Sequence, residues 1–140
     1  MLARRELSEA QVRQRLARQG HDEEAIEAAI ARLKSERAID DARVAEAIAR
    51  TETGKRRGKL RVKRQIQSAG ISSTTARRAA DEAFASIDPD ALIASALAKR
   101  LRGDSTISDD REFQRLYRYL AGQGFDTDQI MRVLERKRRP

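Results

Sequence analysis

Apolar residues return every three or four positions along most of this chain: Val12 and Leu16, then Ile26, Ala29, Ile30 and Leu33, then Val44, Ala45, Ile48 and Ala49, then Val62, Ile66 and Ala69. After Asp88-Pro89 the pattern resumes with Ile93, Ala94, Leu97, Ala98 and Leu101, and later with Phe113, Leu116, Tyr117 and Leu120. That spacing revisits one side of a helix at each turn. There is no period-two alternation and no Asn-Gly or Asp-Gly turn between apolar runs, so strands are not expected. The pattern predicts an all-α fold of about eight helices, at 9–19, 22–36, 41–52, 59–69, 73–86, 89–102, 109–122 and 127–137.

The helices are organised as a repeat. Leu16, Ile66 and Leu120 each stand four residues before a glycine (Gly20, Gly70, Gly124), which is followed by His21, Ile71 or Phe125. Glycine at such a point takes the left-handed C′ position of a helix without steric cost, and the next residue folds back on the last turn. On this reading His21 packs over a helix end. Asp22, Ser72 and Asp126 then serve as N-caps for the second helix of each hairpin. Ser8-Glu-Ala-Gln11 is a capping box that opens the first helix, with Val12 and Leu16 on its buried stripe. Asp40-Asp41 caps the third helix, and Asp88 with Pro89 at the first helical position starts the sixth.

The glycines are 50 and then 54 residues apart, leaving room for one further helix in each of the first two copies. The expected division is a helical repeat at 1–53, a second at 54–102 and a two-helix third repeat at 103–140. Gly103-Asp104-Ser105-Thr106 is the expected flexible joint. Each unit has little apolar surface of its own, so the units are expected to stack as tandem three-helix repeats in a short curved array.

Composition narrows what the array can do. Charged residues are 37% and aromatics 4% of 140 residues, so the cores must be small and aliphatic. Cysteine is absent and His21 is the one histidine, which removes disulfides, thiol nucleophiles and standard zinc or iron sites. No nucleophile–base pair stands out. Gly54-Lys-Arg-Arg-Gly58-Lys59-Leu60 looks like a phosphate loop, but its glycine spacing is one short and Leu60 replaces the hydroxyl that would hold magnesium. A non-enzyme with no cofactor and no metal is expected. No apolar run approaches the roughly 20 residues that span a membrane. A soluble, cytoplasmic protein, monomeric when free, is the expectation.

The formal charge is +8, and its excess is central. Between Glu52 and Asp81 no acidic residue occurs, while Lys55, Arg56, Arg57, Lys59, Arg61, Lys63, Arg64, Arg77 and Arg78 all fall there. On a helix that buries Val62, Ile66 and Ala69, Arg57, Arg61 and Arg64 are expected opposite the core, with Lys63 on their flank, as one exposed basic surface. Such a surface tracks phosphates by releasing condensed counterions. A solvated face or an acidic protein groove are the other readings. No aromatic interleaves with these cations, so any contact with single- or double-stranded DNA is expected to tolerate sequence. Tyr117 is expected in the core and the neighbouring Tyr119 more exposed. Arg136-Lys137-Arg138-Arg139 reads as a helix terminus that suits the macrodipole.

The run Ser8-x-x-Gln11-Val12-x-x-x-Leu16-x-x-x-Gly20, then Ile26-x-x-x-Ile30-x-x-Leu33, Ile39-Asp40-Asp41-x-x-Val44-Ala45, Gly58-x-x-x-Val62-x-x-x-Ile66-x-x-x-Gly70-Ile71 and Leu116-x-x-x-Leu120-x-x-x-Gly124-Phe125 resembles the RecX family. Where the family usually has an aromatic, this chain has His21, Ala38 and Val44; its common lysine before glycine is Gln19, Ala69 or Gln123. The resemblance implies a non-enzymatic regulator of the RecA recombinase that lodges in the groove of the RecA–DNA filament. It further implies modulation, in the inhibitory direction, of ATP hydrolysis, strand exchange and the co-protease activity of the SOS response. Two other classes stay open. A helix-turn-helix transcription factor would need base-reading side chains, of which the 73–86 helix offers only Arg77 and Arg78. A plain adaptor would hold a protein target at high salt and ignore DNA.

Overall fold

The structure, a computed structural model, describes residues 6–101 and 106–138. It contains eight helices among them: α1 (Glu9–Arg18), α2 (Glu23–Ser35), α3 (Asp41–Gly54), α4 (Lys59–Ser68), α5 (Ser73–Phe84), α6 (Pro89–Leu101), α7 (Asp110–Gly122) and α8 (Thr127–Lys137). Every helix expected from the apolar spacing is present. The chemistry at their ends also follows the sequence reading. Ser8 Oγ accepts from Gln11 N–H while Gln11 Oε1 accepts from Ser8 N–H, closing the capping box. Asp22, Ser72 and Asp126 cap α2, α5 and α8. Gly20, Gly70 and Gly124 have φ of +90°, +80° and +97°. His21 N–H and Phe125 N–H return to the carbonyls of Leu16 and Leu120, the bond that ends a helix in this way.

The cores group the helices differently from the expected boundaries. α3 packs on α4 and α5, and α6 packs on α7 and α8, while α1 and α2 pair with each other. One core joins Val44, Ala45 and Ala49 to Val62, Ile66, Ala76 and Ala80. A second joins Ile93 and Leu97 to Phe113, Leu116, Leu120, Ile130 and Leu134. The divisions expected at 53/54 and 102/103 therefore cut through contacts: α3 and α6 each belong with the helices that follow them. The expectation failed because a helix's apolar stripe states that it packs, not on which side of it in the chain its partner lies.

The first unit is thin. Its core is Ile26, Ile30 and Ile39, and Val12 and Leu16 are only half-buried. His21 is exposed, where its counterparts Ile71 and Phe125 are buried, so it does not pack over the helix end. The tyrosines are also corrected: both are half-buried, and the guanidinium of Arg100 covers the Tyr119 ring at 3.9 Å. Of the joint expected at 103–106, all but Thr106 lies outside the described residues. Next to it, Ile107 is 1% exposed and donates its N–H to Lys137 O at 2.8 Å, so this segment adds a residue to the last core.

The units join through helix ends. Ser8 at the start of α1 donates its hydroxyl to Ala69 O at the end of α4. At the start of α4, Gly58 N–H donates to Gln123 O at 2.7 Å and Leu60 N–H to Gly124 O at 3.0 Å, both in the turn that ends α7. The first-turn donors that α4 leaves unpaired thus meet carbonyls at the end of α7, bringing the positive end of one helix dipole to the negative end of the other. Close approach requires small residues: a Cβ on Gly58 would lie 2.3 Å from Gly124 C, and one on Gly70 would lie 2.4 Å from Ala10 Cβ.

Candidate nucleic-acid interface

The cationic segment begins where α3 ends. Lys55 is the C-cap, and Arg56 occupies the left-handed C′ position at φ 61°, the conformation that glycine takes at the ends of α1, α4 and α7. Arg57 N–H returns to Glu52 O at 3.1 Å and Arg56 N–H to Thr53 O at 2.9 Å. This turn projects three consecutive cations from the helix end. Beneath it Glu52 is 4% exposed, with Lys55 Nζ 3.6 Å and Arg61 Nε 4.0 Å from its carboxylate.

The nine cations do not form the single exposed surface expected. Arg57 is half-buried and donates to Gln123 Oε1 at 2.9 Å, with its Nε buried and without a partner among the described residues. Arg61 is half-buried and donates to Gly122 O at 3.2 Å. These two hold α4 against the end of α7. The side on which a helical wheel sets them is covered by the end of α7. On the opposite flank of α4, Lys59 is 2.7 Å from Asp81 on α5. The Asp81 carboxyl is held below the usual carboxylate range, first by the Lys59 hydrogen bond and then by the charges of Lys59, Arg77 and Lys63. The Lys59–Asp81 pair thus bridges the seam between α4 and α5.

What remains open is a smaller set. Lys55, Arg56, Arg64, Arg77 and Arg78 are exposed, and of these only Lys55 has a carboxylate partner among the described residues. Arg64 stands about 200° round α4 from Val62, on its outer side. The seam and the open set together give cations on α4, α5 and the preceding turn, spread over two helix faces. Sequence reasoning missed Glu52 and Gln123, the groups that fix two of the arginines. The signal for Glu52 was available, since an acid at the rim of an acid-free basic run invites pairing.

Fold and charge together define a class: an all-helical repeat array, joined end to end, with cations concentrated on its middle unit. Comparison with known proteins makes this specific. A family model described as the first three-helix domain of RecX matches residues 1–33, and one for the third three-helix domain matches residues 88–134. The second match opens at α6, the helix that packing assigns to the last unit. The regulatory protein RecX of Chromohalobacter salexigens is 33% identical over 136 residues, covering 96% of this chain and 86% of that protein. The regulatory protein RecX of Halorhodospira halophila is 30% identical over 131 residues, covering 93% and 79%. A crystal structure of a regulatory protein RecX superimposes with a TM-score of 0.71 at 20% identity, over 92% of this chain and 64% of that one. The chain belongs to the RecX family of regulatory proteins. No helix among the described residues is long and apolar enough to cross a membrane.

Proposed function

We propose that this protein binds the RecA–DNA filament, lodges in its groove and lowers RecA ATP hydrolysis, and with it strand exchange and co-protease activity. It acts by binding and has no catalytic step of its own. The observation that carries this reading is the acid-free segment from Thr53 to Ala80, which exposes Lys55, Arg56, Arg64, Arg77 and Arg78 on an array whose family is RecX. Unpaired arginines on a rigid helical scaffold suit phosphate contacts, and the lack of aromatics among them suits contact that ignores base identity. Contacts of this kind position a protein along a polyanion, while the flanking units are left to meet the protein coat.

The test is RecA ATPase on single-stranded DNA with increasing amounts of this protein at two ionic strengths. Inhibition that weakens at the higher salt is expected. R64E/R77E/R78E is the informative variant, because Arg57 and Arg61 also brace the junction between units. It is expected to inhibit at least tenfold more weakly at unchanged helicity. Full inhibition by that variant, or no effect of the wild type at either salt, contradicts the reading.

A further inference from the structure

The repeat period places a second arginine triplet in register with the first. Adding the 54-residue offset between Gly70 and Gly124 to Arg57, Arg61 and Arg64 gives Arg111, Arg115 and Arg118. In the first copy the same positions are Leu7, Gln11 and Gln14. We propose that Arg111, Arg115 and Arg118 on α7 form a second binding stripe for the phosphodiester backbone of nucleic acid. The proposal rests on the reading that the protein binds DNA, and it extends the contact from the middle unit to the last.

The geometry is simpler than on α4. Phe113, Leu116 and Leu120 are buried, and all three arginines are exposed. At about 100° per residue, the arginines fall within about 60° of one another on the side away from that core. Their axial steps are about 6 and 4.5 Å, so three guanidinium groups line one helix edge. The stripe ends at Gly122, where an added Cβ would meet nothing within 4 Å, which leaves room for close approach.

Three carboxylates of this unit are engaged elsewhere. Asp90 holds Arg132 at 2.8 Å and Arg136 at 3.7 Å, and Asp110 and Glu135 both hold Arg138. Glu112 lies on the flank of α7, and none of Arg111, Arg115 and Arg118 forms an ion pair among the described residues. On α4 the corresponding Arg57 and Arg61 are spent on the junction. On α7 the residue equivalent to Gly58 is Glu112, within the first turn that Asp109 caps, and Arg111, Arg115 and Arg118 make no side-chain hydrogen bond to another element among the described residues. The stripe is therefore left for an outside anion. A row of guanidinium groups at helical spacing, with Gln114 and Gly122 on the same side, fits a phosphate backbone, while Arg118 at its edge borders an open pocket with Tyr117 and Met131.

The test is fluorescence anisotropy of the full chain with labelled single-stranded and duplex DNA over a salt series. R111Q/R115Q/R118Q is compared with R64Q/R77Q/R78Q and with R111K/R115K/R118K. The glutamine variant on α7 is expected to lower the slope of log K against log salt by roughly 2 for single strands, near 0.7 per phosphate contact. Affinity at low salt is expected to fall at least tenfold with helicity unchanged, and the lysine variant is expected to keep the slope. Wild-type slope and affinity in the α7 glutamine variant, alongside loss in the α4–α5 variant, would overturn the stripe and leave the proposed function standing. Loss of RecA-filament binding with naked-DNA binding intact would assign the stripe to protein and overturn it too. No DNA binding by the wild type would sink both.

Discussion

Replacing Gly58 by alanine is expected to cost about 2–5 kcal/mol, although the backbone there suits any residue. Its φ of −81° and ψ of 164° carry no penalty for a side chain, so the effect isolates the junction between α4 and α7. An added Cβ would lie 2.3 Å from Gly124 C, 2.4 Å from Gly124 O and 2.5 Å from Phe125 N, all backbone atoms that cannot rotate away. Relief requires the two helix ends to separate, which stretches the Gly58–Gln123 and Leu60–Gly124 hydrogen bonds of 2.7 and 3.0 Å. Two such bonds contribute about 1 kcal/mol each. Overpacking adds about 1–3 kcal/mol. The smaller entropy of the unfolded alanine chain returns about 0.4–1 kcal/mol. Gly54→Ala is the control, since a Cβ there meets nothing within 4 Å and alanine favours the helix by about 0.5–1 kcal/mol. Urea denaturation gives the stability difference, and hydrogen exchange locates it. The Gly58 and Leu60 amides are expected to lose protection well before those of Val62 and Ile66, which are bonded within α4 and its core. Equal stability of the two variants, or unchanged exchange at residues 58 and 60, would refute the end-to-end junction.

Three further outcomes follow from the same structure. Arg56→Gly relieves a left-handed backbone at φ 61° and is expected to leave stability unchanged or raise it by up to about 1 kcal/mol while weakening DNA binding; Arg37→Gly, at φ 57°, is expected to match its stability without the binding loss. Thermal melts and anisotropy read the two effects separately, and a binding loss in both variants would contradict the assignment of Arg56. Leu120→Ala, at a fully buried position in the last core, is expected to cost about 2–5 kcal/mol, whereas Leu60→Ala, at 48% exposure, is expected to cost far less; comparable losses would contradict the core assignment. The Asp90 carboxyl is held below the usual range, chiefly by its hydrogen bond from Arg132 and then by the charges of Arg132 and Arg136. A carboxyl whose folded value is depressed stabilises the fold above the unfolded value of about 3.9 and loses that contribution as pH falls through its folded value. Urea midpoints measured down through this acid range are therefore expected to fall more steeply for the wild type than for Asp90→Asn, and parallel pH profiles would contradict the pairing.

How far the sequence was legible depended on whether the information was local. Helix positions, capping residues and the three left-handed glycines were readable because each rests on spacing or on a side chain bonding its own neighbourhood, as at Ser8 and Gln11. The grouping of helices into units was not readable, since Ile48 and Ile93 show apolar stripes that look the same whether their partners precede or follow. The site was legible in part. The acid-free run marked the cationic segment, but whether Arg57 faces solvent or Gln123 depends on a contact 66 residues away. The triplet on α7 is legible in the repeat arithmetic, but its neighbouring acids, Asp110 and Glu112, make the local charge balance look neutral.

We propose that the middle unit meets the RecA–DNA filament through its exposed cations. Hydrogen exchange of this protein, free and bound to RecA-coated single-stranded DNA, tests it most directly. Slowed exchange that includes residues 55–84, with the strongest protection there, is the predicted result. Slowed exchange confined to α1 and α2, or no change anywhere on adding filaments, would contradict it.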